Sequence, residues 1–140
     1  MLNYKLSGID GHIRISSYMS DRLAMKNIAK LDSSIKKIDK NIVATTPYIE
    51  KHAIAKNGSL TEGIILYGVT RKSLQNIFKL HNFTNGTYDF NHQESIIIGK
   101  KLAQSLNVDI GDVIMIMDIE KISNKQIFQA KHFTIINIFQ

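Results

Sequence analysis

Cysteine is absent from all 140 residues, which excludes a disulfide framework, a thiolate metal site and a cysteine nucleophile. That absence fits either redox compartment. Long apolar runs are missing as well: the longest span about five residues, such as VIMIM at 113–117, where a membrane span takes ~20. The first residues, MLNYKLSGIDGH, hold neither the apolar core nor the cleavage signal of a secretory peptide. The chain is expected to be soluble as given, with any export signal supplied from outside it. Proline occurs once, at Pro47, where it cannot donate to a strand ladder and so points to an edge or a bulge.

Converging glycines are scarce too. Gly99-Lys100-Lys101 has one glycine and no following Ser or Thr, so it matches neither phosphate-cradling pattern. His12, His52, His81, His92 and His132 show no H-x-x-x-H or H-E-x-x-H spacing, and no cysteines complete a ligand set. His81 and His92 flank one loop, yet surface histidines are the simpler reading. No G-x-S-x-G elbow is present. Asp109 and Asp112 bracket a single turn, where Asp commonly bonds its own backbone. No catalytic residue, metal ligand or cofactor is expected, and the chain is read as a non-enzyme.

What is present is a foldable composition: 44% apolar and 21% charged residues, enough in this length for one domain with a real core. The formal charge is +6, but 15 of the 18 basic residues are lysine, scattered from Lys5 to Lys131. Nucleic-acid readers cluster their charge and favour arginine, so no nucleic acid is expected as a partner; the lysines form a solvated surface or face an anionic partner. The richness in Ile, Asn and Lys also fits a genome rich in A and T.

GHIRISSY, 11–18, alternates Ile13 and Ile15 with His12, Arg14 and Ser16, the pattern of a half-exposed strand. Ser20 or Asp21 can cap the following helix, whose apolar positions Ala24, Ile28, Leu31, Ile35 and Ile38 form one stripe to be buried, with Asn41 ending it. IVATTPYIEKHAIA, 42–55, is rich in β-branched residues, KNGS at 56–59 is a turn, and GIILYGVT, 63–70, is apolar on both faces and reads as a buried strand. RKSLQNIFKL, 71–80, fits a short helix and 81–94 a loop.

The block IIIGKKLAQSLNVDIGDVIMI, 96–116, parses into a strand at Ser95–Ile98, a tight turn at Gly99 that a side chain would crowd, and a helix over Lys100–Leu106. Leu102, Ala103 and Leu106 face inward and Asn107 caps the end; Gly111 and Asp112 then turn the chain into a strand at Val113–Ile119. A last strand covers 132–139. The connection between these strands, Ile119 to Lys131, holds Ile122, Ile127 and Phe128 among Lys121, Lys125 and Lys131. That is more apolar surface than a hairpin tip requires: either these residues pack back on the domain or they form an exposed contact loop.

The expected fold is α+β, a strand-helix-strand layer over 1–56 followed by a β-rich portion with short helices over 57–140, all one domain. DGHIRI at 10–15, IVATTPYIEKHAIA, GIILYGVT, and the 96–116 block followed by FTIINIF at 133–139 resemble the periplasmic domain of lipoprotein-releasing ABC transporter permeases, the LolC/LolE group within the MacB-like family. The last block is the most specific, being similar to an I-L-G-x-x-L-A-x-x-L-x-V-x-x-G-D pattern.

The resemblance implies a MacB-like periplasmic core at the periplasmic face of the bacterial inner membrane. Such a domain performs no chemistry and couples movement of the membrane helices to lipoprotein release. Implied partners are a second permease subunit, an ATPase subunit reached through membrane spans not present here, a lipoprotein, and a periplasmic lipoprotein carrier. The family's carrier-holding loop maps to Ile119–Lys131, making Ile122, Lys125, Ile127 and Phe128 the candidate contact residues. The family's loop is longer and bears proline, which this one lacks, so a lipoprotein or partner permease is as good an occupant. Relatives continue past Phe139-Gln140, and an excised piece or a truncated frame is expected. A MacB-like efflux or cell-division permease domain would carry the same fold with another client. LAQSLNVDIGDVIMI also resembles the L-x-x-x-L-x-I-x-x-G-D-x-V segment of swapped-hairpin transcription factors, which implies DNA binding that falls steeply with salt.

Overall fold

The computed structural model describes residues 13–16, 28–70, 94–119 and 130–139. Among these the chain is α+β, with two helices and one five-stranded sheet: α1 (Ile28–Ile38), β1 (Ile49–Asn57), β2 (Leu60–Gly68), β3 (Ser95–Gly99), α2 (Lys100–Leu106), β4 (Val113–Asp118) and β5 (Lys131–Phe139). The sheet order is β2-β1-β4-β5-β3. β1 pairs antiparallel with β2 and β4, β4 antiparallel with β5, and β5 parallel with β3. The strand following β4 in sequence is thus inserted between β4 and β3.

Local chemistry explains the turns. Asn57 and Leu60 close a two-residue hairpin over Gly58 and Ser59. Gly58 has φ +58° while Ser59 keeps an ordinary φ, the pattern of a II′ turn whose twist matches its flanking strands. α2 ends where Asn107 enters the left-handed region at φ 51°. The Val108 N–H then reaches the Ala103 carbonyl at 3.0 Å, and the Asn107 N–H reaches Gln104 at 3.2 Å, a Schellman ending that satisfies two otherwise orphaned carbonyls.

The core joins Ala53 and Ala55 of β1, Ile96 and Ile98 of β3, Ala103 and Leu106 of α2, Ile114 and Ile116 of β4, and Ile135 of β5. α2 touches β2 and β3, the two outermost strands, which requires the sheet to curl around it. The Leu106 side chain is completely buried and worth about 2–3 kcal/mol of apolar burial. Asn137 is the one buried polar residue among those described; its Oδ1 accepts from the Ile138 N–H at 2.8 Å, and its Nδ2 has no partner. It lies where the β3–β5 register shifts, Ile96 facing Ile135 but Ile97 facing Asn137.

Several sequence expectations are corrected. Residues 13–16 carry no strand: Ile13 is 77% exposed, and this segment meets the sheet through the Arg14 side chain. α1 has no buried residue: Ile28, Leu31 and Ile35 are half-buried and Ile38 is 83% exposed, and the helix that contributes to the core is α2. Pro47 marks neither an edge nor a bulge. It lies two residues ahead of β1, and β1 is an inner strand. The GIILYGVT strand starts earlier, at Leu60, and among the described residues it is an edge, with Ile65 half exposed. Gly99 does not need its lack of a side chain: its φ of −75° is ordinary, and an added Cβ would meet the Phe139 ring at 3.5 Å, normal contact. The expected elements over 71–80 and 81–93, and the start of the first helix, lie outside the described residues.

Candidate functional site

Three sites follow from this framework. The first is the turn between α2 and β4. The Asp112 N–H donates to the Asp109 carbonyl at 3.1 Å, and Gly111 at φ 96° occupies the position that favours glycine in a type II turn. Asp112 Oδ2 accepts from the Asp109 N–H at 2.8 Å, and Asp109 Oδ1 accepts from the Ile110 N–H at 2.8 Å. Both carboxylates therefore fasten their own turn, as expected for Asp in such a loop. The turn is also stitched to the sheet, with Gly111 N–H on the Ile135 carbonyl and Ile135 N–H on the Asp112 carbonyl, each at 2.8 Å. An open hollow of about 550 Å³ lies alongside, with Lys100, Gln104, Asn107 and Asp109 at its rim. Among the described residues, no group of three His, Asp or Glu side chains is placed to hold a metal ion.

The second is the end of the sheet from which residues 119–130 depart and return. Ile116 of β4 faces Lys131 of β5, so the connecting chain leaves and re-enters at one place. Ile122, Lys125, Ile127 and Phe128 lie outside the described residues. The flanks are well defined. Asp118 is tied to Lys51 of β1 at 2.5 Å in a half-buried ion pair, and Ile119 is 38% exposed. A smaller hollow of about 260 Å³ is bounded by Ile119 together with His52, Ala53, Gly63, Ile64 and Ile65. The contact residues expected from sequence are thus connected to the sheet at a point where an apolar recess is already formed.

The third was not anticipated. On the outward face of β1 and β2, Arg14 sits 5.8 Å from the Tyr48 ring centre, and the Tyr48 and Tyr67 rings are 5.9 Å apart at 52°. Arg14 Nη1 contacts Glu50 Oε2 at 3.2 Å, and Nη2 donates to the Tyr67 hydroxyl at 3.4 Å. This exposed ion pair contributes at most about 1 kcal/mol, so its effect is to hold Arg14 over the Tyr48 ring and against the Tyr67 hydroxyl rather than to stabilise the fold. The signal was present in GIILYGVT: apolar residues on both faces of a strand accompany burial in a central strand but exposure in an edge strand, and sequence periodicity does not separate the two.

Neither the known protein-family models nor the curated proteins give a match to this chain. No helix among the described residues is long and apolar enough to cross a membrane.

Proposed function

We propose that this chain is the non-catalytic periplasmic contact domain of an ABC transporter permease that helps release lipoproteins from the bacterial inner membrane. The observation that carries the reading is the block from Ile98 to Asp112, whose patterned residues, Gly99 apart, have packing or turn roles. Leu102, Ala103, Leu106 and Val108 belong to or pack on the core, and Gly111 takes the positive φ of its turn. A pattern of that kind marks a scaffold rather than a reaction centre. It also supports β4 and β5, which carry the segment 119–130 at their shared end.

The mechanism is mechanical. A sheet wrapped on a helix moves as a body, so displacement of attached membrane helices is delivered to the contact segment without chemistry in the domain. Ile122, Lys125, Ile127 and Phe128 make the contact, with a lipoprotein, its periplasmic carrier or the second permease subunit opposite them. The ATPase subunit acts at a distance, through the membrane part of the permease.

The test is co-purification of the full chain with purified acylated lipoprotein and, separately, with a purified periplasmic lipoprotein carrier. Retention of either one, weakened about tenfold or more by Phe128→Ala, is the expected result. Failure to retain both, or retention indifferent to Phe128→Ala, overturns the assignment of the contact segment.

A further inference from the structure

We propose that β2 is a pairing edge for a second copy of this chain, the two β2 strands joining antiparallel about Ile64 so that the five described strands of each copy form one continuous sheet. This goes beyond the transporter reading and does not depend on it.

Among the described residues β2 is an outermost strand, nine residues long, and it pairs with β1 over its whole length without a bulge. Asn57 and Leu60 close a two-residue turn and form a hydrogen-bonded pair, so strict alternation turns the N–H and C=O of Thr61, Gly63 and Ile65 away from β1. None of these three makes a further hydrogen bond among the described residues. Such a row is a template for an added strand, and proteins commonly blunt it with lysine, proline or a bulge. Neither lysine nor proline is supplied here: a chain with 15 lysines has none between Lys56 and Lys72, its one proline is Pro47, and the strand's charge is Glu62 alone.

The side chains favour a second β2 over an unrelated strand. A two-fold axis through Ile64 sets Gly63 opposite Ile65 of the other copy and Thr61 opposite Tyr67. A Cβ on Gly63 would meet nothing within 4 Å, which is open space for the half-exposed Ile65. Glu62, the strand's single charge, falls opposite Leu66, and the two Glu62 residues stand about 13 Å apart, four residues of strand rise. No like charges meet. The Ile64 residues form a non-hydrogen-bonded pair, with Cα atoms about 4.5 Å apart, within reach of a disulfide.

The absence of native cysteine makes the register directly measurable. Under mild oxidation of the full chain, Ile64→Cys is expected to give a covalent dimer. Thr61→Cys, whose copies stand about 20 Å apart, is expected not to. Sedimentation of the unmodified chain from micromolar to millimolar concentration is expected to show monomer passing to dimer. Ile65→Lys, at an exposed position and with an unchanged circular dichroism melt, should weaken that dimer by about tenfold or more. A chain that stays monomeric throughout, a dimer indifferent to Ile65→Lys, or Thr61→Cys cross-linking as readily as Ile64→Cys would overturn the proposal.

Discussion

The side-chain amide of Asn57 donates to the main-chain carbonyl of Leu106 at 3.0 Å, fastening the tip of the β1–β2 hairpin to the last turn of α2. The two residues are 49 positions apart, and the bond satisfies a carbonyl that the end of a helix leaves without an intrahelical partner. It adds a polar tie between the hairpin and the helix to the packing of Ile64 and Leu66 of β2 on the core.

Replacing Asn57 by Ala should therefore lower stability by about 1 kcal/mol, the value of one partly buried hydrogen bond, with a fall in the urea midpoint at unchanged slope. A destabilisation no larger than that of an exposed surface substitution would mean that the helix end is satisfied without this contact.

The two glycines of the 96–116 block should respond differently to alanine. Gly111→Ala forces a Cβ into φ 96° and should cost about 1–2 kcal/mol. Gly99→Ala places a Cβ at an ordinary φ, 3.5 Å from the Phe139 ring, and should change stability by less than about 1 kcal/mol. Thermal melts of the two variants side by side give the comparison, and equal losses would contradict the assigned backbone conformations.

Leu106 is fully buried, between the alanines of β1 and the isoleucines of β3, β4 and β5. Leu106→Ala should cost about 2–5 kcal/mol, transfer and cavity terms together. The check is chemical denaturation alongside the exposed Ile110→Ala, for which a loss below about 0.5 kcal/mol is expected.

How much of this was legible in the sequence depended on distance along the chain. Ser95 to Asp118 could be parsed into strand, helix, left-handed Asn107, Gly111 turn and strand, because each boundary is set by residues a few positions away. Pro47 and Gly63–Gly68 were misread for the opposite reason. Whether a strand lies inside or at the edge of a sheet is decided by neighbours far away in sequence, here β4 for β1 and the absence of any partner beyond β2 among the described residues. The Ile28–Ile38 periodicity correctly gave a helix but could not tell that α2 would occupy the core instead. Gly99 was overread because a glycine at a strand-to-helix junction suggests a turn too crowded for a side chain, whereas an added Cβ would make only ordinary contact with Phe139. The Arg14–Tyr48–Tyr67 cluster joins three separate segments, so the apolar residues on both faces of GIILYGVT could not by themselves locate it.

Under the proposed function the glycine-flanked block is scaffold, and contact is made at the end of the sheet beyond Asp118. The most direct measurement is amide-resolved NMR of the labelled chain during titration with purified acylated lipoprotein. The predicted result is a cluster of shifted resonances over residues 119–131, with Ile96–Leu106 and Gly111–Ile116 unmoved. Shifts centred on Gly99, Gly111 and Asp112, with 119–131 silent, would contradict it.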